Sequence, residues 1–158
     1  MAEALAASGL GRGDRIGIAL PNGLPTIVAF LAASMAGTAA PLNPGYKEDE
    51  FKFFLEDTNA KVLLLPGEGA ADARRAAEAC GVPVLVVDMD GAGTVTIAGV
   101  AARKPIVQPA LDEPALILHT SGSTGRPKRV PLSHTNLSSR RATSRAATRS
   151  RRRTSRCA

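Results

Sequence analysis

The segment between residues 120 and 128 reads TSGSTGRPK and combines four hydroxyl groups, two glycines and a lysine. Hydroxyl and backbone N–H groups donate hydrogen bonds to anionic oxygens, and glycines let the backbone approach those oxygens closely. Successive N–H groups in such turns form an anion-binding concavity, and a lysine adds a point charge suited to phosphate. The pattern therefore predicts a polyphosphate clamp. Its candidate binding residues are Thr120, Ser121, Gly122, Ser123, Thr124, Gly125 and Lys128.

Two short apolar runs, residues 115–118 and 130–132, flank this segment and predict strands on either side of it. The segment is not a Walker A loop, because that motif places its lysine directly after the glycine and opens a helix. Here two residues separate Gly125 from Lys128, and Pro131 follows closely. Hydroxyl groups, rather than a helix N-terminus, are therefore expected to bind the phosphates. An ordinary polar surface loop is the alternative, but the fixed order of the motif after an apolar run favours the clamp.

The rest of the chain alternates between strand-like and helix-like patterns, which predicts a layered α/β sheet with crossover helices. A helix ends near residue 10, and Val95–Ile97 is a weak strand. The other predicted strands are 15–20, 38–42, 61–65 and 84–88, and the other predicted helices are 24–35, 46–57 and 72–79.

The predicted helix 24–35 carries an apolar stripe at helical spacing, formed by Leu24, Ile27, Val28, Leu31 and Met35. A stripe of this width normally faces the protein core, so we expect these side chains to be buried. A membrane-binding or acyl-chain-binding surface is the alternative.

The predicted helix 46–57 places Phe51, Phe54 and Leu55 on one side and acidic residues on the other. The acids at 48–50 could form a carboxylate cluster for a metal. A solvated first turn, where negative charge opposes the helix dipole, is the favoured interpretation.

The last 21 residues, 138–158, hold eight of the 20 Lys and Arg residues and none of the 14 acids. The first 137 residues therefore carry a net charge of −2, although the whole chain carries +6. The tail has no large hydrophobic residue, so disorder is expected. Its abrupt composition favours an artefact such as a shifted reading frame. The alternative is a nucleic-acid-binding module, for which affinity would fall steeply with salt.

Cys80 and Cys157 form neither a disulfide framework nor a metal-binding spacing, and the two histidines complete no zinc site. The opening residues lack the charged region of a signal peptide. The apolar run 24–36 is too short to span a bilayer. These observations predict a cytoplasmic protein, and the final tripeptide is not the peroxisomal signal.

The motif resembles the phosphate-binding signature of the adenylate-forming (AMP-binding) superfamily. The wider segment LILHTSGSTGRPKRVPLSHTNL, residues 116–137, is similar to the acyl-CoA synthetase branch and most of all to oxalate–CoA ligase-like members. Residues 9–22 and 37–46 also resemble family segments. The resemblance covers about residues 1–137 and departs from the family at Arg129, where a small residue is usual. This long cation either adds a phosphate contact or crowds the loop.

The resemblance implies that residues 1–137 are part of the large N-terminal adenylation domain of an ATP-dependent carboxylate–CoA ligase. It implies ATP with Mg²⁺, a small carboxylic acid and coenzyme A as cofactors and substrates, with the loop binding the β- and γ-phosphates. The family's adenine pocket, metal carboxylate and catalytic lysine belong to later segments, so catalytic residues are unknown here and little ligase activity is expected. A stand-alone nucleotide-binding protein is the remaining alternative.

Overall fold

The computed structural model describes residues 1–120 and 127–138. Within them the chain forms helices and strands in the predicted order, with ends shifted by a few residues. The helices are α1 (Ala2–Ala7), α2 (Leu24–Ala36), α3 (Glu48–Thr58) and α4 (Ala71–Ala79). The strands are β1 (Arg15–Ile18), β2 (Thr38–Pro41), β3 (Ala60–Pro66), β4 (Val84–Met89), β5 (Val95–Ile97), β6 (Pro114–Thr120) and β7 (Lys128–Ser133). One helical turn, residues 134–138, follows β7.

The strands form one sheet in the order β5-β4-β3-β1-β2-β6-β7. The five inner strands run parallel, and the two edge strands, β5 and β7, pair antiparallel with their neighbours. Parallel neighbours need crossover connections, which the helices provide between β1, β2, β3 and β4. The predicted layered α/β architecture is confirmed.

The sheet separates two hydrophobic clusters, because successive side chains of a strand point to opposite faces. Ile16 and Ile18 of β1 belong to the cluster that contains α1 and α2. Leu63 and Leu65 of β3 belong to the cluster that contains α3 and α4. The protein is thus built from three layers, with the sheet in the middle.

The prediction for the apolar stripe of α2 is wrong. Leu24, Ile27, Leu31 and Met35 are 48%, 58%, 54% and 49% exposed, and only Val28 packs partly against the core. The buried face consists of small residues, among them Ala29, Ala32, Ala33 and Ala36. Alanines bring the helix close to the large branched residues of the sheet, so there is no room for leucine on that side.

The prediction for α3 is confirmed: Phe51, Phe54 and Leu55 are at most 6% exposed. The acids of its first turn are held by local partners. Glu48 forms ion pairs of 2.7 Å with Lys52 and with Arg75, and the Glu50 carboxylate accepts a hydrogen bond of 2.8 Å from the backbone N–H of Lys47.

The hydrogen bonds that hold Glu48 keep the pKa of its carboxyl below the ordinary value, that from Lys52 first and that from Arg75 second. Its negative charge therefore lies in the first turn of α3, where it interacts favourably with the positive end of the helix dipole. No helix in the described parts of the chain is long and apolar enough to cross a membrane.

Candidate functional site

The predicted clamp begins where β6 ends. β6 runs parallel to β2, and β2 runs parallel to β1, so the three strands end at the same edge of the sheet. Ligands of open α/β sheets bind outside the carboxyl ends of the strands. Thr120, the last residue of β6, therefore lies at the edge where such a site is expected.

The two described ends of the clamp are cross-strand partners. Thr120 pairs with Lys128 in the antiparallel β6–β7 ladder, and the Thr120 hydroxyl lies 3.4 Å from the Lys128 carbonyl oxygen. Both residues are exposed. Directly opposed residues share a face of the sheet, so the structure brings Thr120 and Lys128 together at the mouth of the loop. The other predicted binding residues, Ser121, Gly122, Ser123, Thr124 and Gly125, lie outside the described residues.

The next pair of the ladder, His119 and Arg129, occupies the opposite face. Both side chains reach Asp57 in the last turn of α3. His119 Nε2 lies 3.0 Å from the Asp57 carboxylate, and Arg129 donates a hydrogen bond to the Asp57 backbone carbonyl. Arg129 therefore points away from the face that carries Lys128. Its guanidinium contacts the end of α3 instead.

The His119 ring is enclosed. Its side chain is only 7% exposed, and it meets Phe54 edge-on with ring centroids 4.6 Å apart. Phe54 in turn stacks on Tyr46 at 4.9 Å. Such aromatic contacts restrict the ring to one orientation, in which Nε2 faces the carboxylate. An ionised carboxylate only accepts hydrogen bonds, so a hydrogen bond between these two groups requires the proton on Nε2.

A separate ion pair fixes the other end of β6. Glu113, directly before the strand, accepts hydrogen bonds of 2.8 and 3.0 Å from Arg12 Nε and one of 2.8 Å from the Ala110 backbone N–H. The Arg12 guanidinium, more than any other group, lowers the pKa of the Glu113 carboxyl. Seven residues of strand span about 20 Å, so this ion pair lies far from Thr120.

A surface cleft of about 590 Å³ opens at the opposite edge of the sheet, lined by the start of β3 and the end of α4. It contains Cys80, whose pKa is raised chiefly by burial and further by Glu56. A raised pKa leaves less of the thiol in the thiolate form, which is the nucleophile.

The described residues do not supply a metal site. Among residues 1–120 and 127–138, no group of three His, Cys, Asp or Glu side chains could hold a metal ion.

Sequence reasoning missed the convergence of His119 and Arg129 on Asp57. The alternation of β6 offers part of the signal, since His119 lies on the same strand face as the buried Ala115 and Ile117. Nothing in the sequence shows that this face meets the end of α3, because that contact joins residues 62 positions apart.

The fold is that of a layered α/β protein, and comparison with known proteins identifies its family. The family model for AMP-binding enzymes matches residues 1–157. The chain belongs to the AMP-binding enzyme family.

Individual relatives agree. The chain is 39% identical over 139 residues to the oxalate–CoA ligase of Arabidopsis thaliana, covering 84% of this chain and 27% of that enzyme. It is 33% identical over 143 residues to the long-chain-fatty-acid–CoA ligase FadD13 of Mycobacterium tuberculosis, covering 87% and 28%. The ATP-bound structure of MatB from Rhodopseudomonas palustris superposes with a TM-score of 0.71 at 30% identity, covering 88% of this chain and 28% of MatB. The chain thus spans little more than a quarter of each of these relatives.

Proposed function

We propose that this chain binds the triphosphate of ATP as part of an ATP-dependent carboxylate–CoA ligase. In the reaction, a carboxylate oxygen attacks the α-phosphate and pyrophosphate leaves. The thiol of coenzyme A then loses its proton and attacks the acyl carbon of the resulting acyl-adenylate, which gives the thioester as AMP leaves. The observation that carries the proposal is the pairing of Thr120 with Lys128 at the carboxyl end of β6. This pairing brings the first and last residues of the motif together at the ligand-binding edge of the sheet.

Each residue type has a defined task in this proposal. The hydroxyls of Thr120, Ser121, Ser123 and Thr124 donate to the β- and γ-phosphate oxygens, while Gly122 and Gly125 allow the backbone to approach. Lys128 neutralises the charge that develops as pyrophosphate leaves. Positioning and charge neutralisation are what phosphoryl-transfer chemistry requires of a protein.

The acid is proposed to be a small carboxylate. Two relatives, from Arabidopsis thaliana and Saccharomyces cerevisiae, are oxalate–CoA ligases, and a third, from Cupriavidus necator, is a sulfoacetate–CoA ligase. The nucleic-acid alternative rests only on the composition of residues 138–158. The relatives named here are ligases and do not support it.

The proposal predicts that ATP binds in preference to AMP, because the clamp recognises the outer phosphates. Lys128→Ala should weaken ATP binding about ten- to a hundredfold, the usual effect of losing a hydrogen bond to a charged group. Isothermal titration calorimetry with ATP and AMP measures both affinities.

The matched control is Lys61→Ala, which removes the same charge from an exposed position at the amino end of β3. Its ATP affinity should equal that of the unmodified chain. Equal affinity for ATP and AMP, or equal losses in the two lysine variants, would contradict the proposal.

A further inference from the structure

The antiparallel ladder of β6 and β7 gives its two last residue pairs different surroundings. Thr120 and Lys128 lie exposed at the mouth of the loop, and His119 and Arg129 lie on the face that meets α3. From that face, both side chains bond to one residue, Asp57: the imidazole to its carboxylate and the guanidinium to its carbonyl oxygen. One helix end is therefore connected to both strands directly beside the proposed clamp.

The chemistry of these contacts suits a fixed attachment. The last carbonyl groups of a helix lack intrahelical partners, and the C-terminal end of the helix dipole attracts a cation. The guanidinium of Arg129 supplies both the hydrogen-bond donor and the positive charge. The carboxylate of Asp57, in turn, accepts from an imidazole that is nearly enclosed and held against Phe54. A charged acceptor makes this hydrogen bond stronger than one between neutral groups.

The attachment acts on the clamp through the backbone. His119 and Arg129 are covalent neighbours of Thr120 and Lys128, so fixing one pair fixes the separation and direction of the other. A loop whose two ends are already held loses less conformational entropy on binding a ligand. The contact with α3 should therefore favour phosphate binding although none of its three residues faces the phosphates.

We propose that Asp57, His119 and Arg129 are positioning residues of the phosphate loop: they anchor the β6–β7 hairpin to the end of α3 and so raise its affinity for the triphosphate of ATP. This proposal rests on the proposed function. It gives Arg129 a role that depends on its long side chain, whose terminal donor reaches the Asp57 carbonyl.

The test compares variants at the two ends of β6 in the full chain. His119→Phe keeps the aromatic packing and removes the hydrogen bond, Arg129→Gln removes the cation, and the double variant removes both. Arg12→Gln is the matched control, because it breaks an ion pair of similar chemistry with Glu113 at the far end of the same strand. Calorimetry measures ATP affinity, and circular dichroism measures thermal stability, with all titrations made well below the lowest melting temperature.

The double variant should bind ATP about tenfold more weakly, the effect of about 1.4 kcal/mol, and Arg129→Lys should recover most of the loss at that position. Arg12→Gln should lower the melting temperature without changing ATP affinity. A structural role alone would make ATP affinity follow melting temperature in all variants, which would overturn the proposal. The exposed Arg129→Gln variant keeps the test decisive if the double variant does not fold.

The two proposals fail in different ways. If the unmodified chain binds ATP through Lys128 and the hairpin variants bind it equally well, the positioning role is refuted and the proposed function stands. If Lys128→Ala has no effect on ATP binding, the proposed function is refuted and the positioning role with it.

Discussion

The helices α2 and α3 both carry large apolar side chains at helical spacing, yet they use them in opposite ways. α3 buries Phe51 and Leu55 to 1% exposure, whereas α2 leaves Ile27 and Leu31 more than half exposed and buries alanines. Both helices pack on the same sheet, from opposite sides. The difference shows that the most hydrophobic face of a helix is not always the face that meets the core.

The side chains of β1, which lies between the two helices, explain this difference in packing. β1 directs Ile16 and Ile18 toward α2, while Gly17 and the following Ala19 face α3. A Cβ added at Gly17 would lie 2.9 Å from Leu63 Cδ1 and 3.6 Å from Leu55 Cδ2, so the α3 side is already filled to the backbone. The large residues of β1 require small residues on α2, whereas Gly17 leaves room for Leu63 and Leu55 on the α3 side.

The largest expected effect is at the aromatic core of α3. Phe51→Ala should lower the free energy of unfolding by about 3–5 kcal/mol, because it leaves a cavity that the sheet cannot close. Urea denaturation followed by circular dichroism measures this loss. Phe53→Ala, on the half-buried side of the same helix, is the control and should cost clearly less. Equal costs would mean that α3 does not bury one face.

A smaller effect is expected on α2, which buries its small residues and exposes its large ones. Ala33 is 0% exposed, so Ala33→Leu should cost about 1–3 kcal/mol by overpacking. Leu31→Ala, two residues away and exposed, should change the free energy of unfolding by less than about 0.5 kcal/mol. The same urea titration tests both. If Leu31→Ala cost more than Ala33→Leu, the large residues of α2 would face the core after all.

The smallest effect concerns the polar surface. Hydrogen bonds from Lys52 and Arg75 lower the pKa of Glu48 in the folded chain. Glu48 therefore stabilises the fold above its unfolded pKa of about 4.3, and this contribution is lost as the pH falls through the lower folded value. Melting temperatures measured from pH 7 to pH 3 should decline less steeply in Glu48→Gln. Glu3→Gln, at an exposed acid of α1, should follow the unmodified chain.

Much of the fold could be predicted from the sequence because the signals are local. Pro25 lies in the first turn of α2, a position that suits proline because the first backbone N–H groups of a helix have no intrahelical partner. The motif between two short strands was likewise recognisable, and Thr120 and Lys128 do pair across them. The clustering of His119, Arg129 and Asp57 could not be predicted, since it depends on how a hairpin meets a helix far away in sequence.

The sequence by itself determined the order of strands and helices, the anion-binding composition of the loop after β6, and the family to which the chain belongs. These features follow from neighbouring residues, whose periodicity and turn chemistry act over a few positions. Only the tertiary structure decided which side of the sheet each helix covers, and hence that α2 buries alanines and α3 buries phenylalanines. The alternation of large and small residues in β1 is visible in the sequence, but the sequence does not show which helix packs against which face.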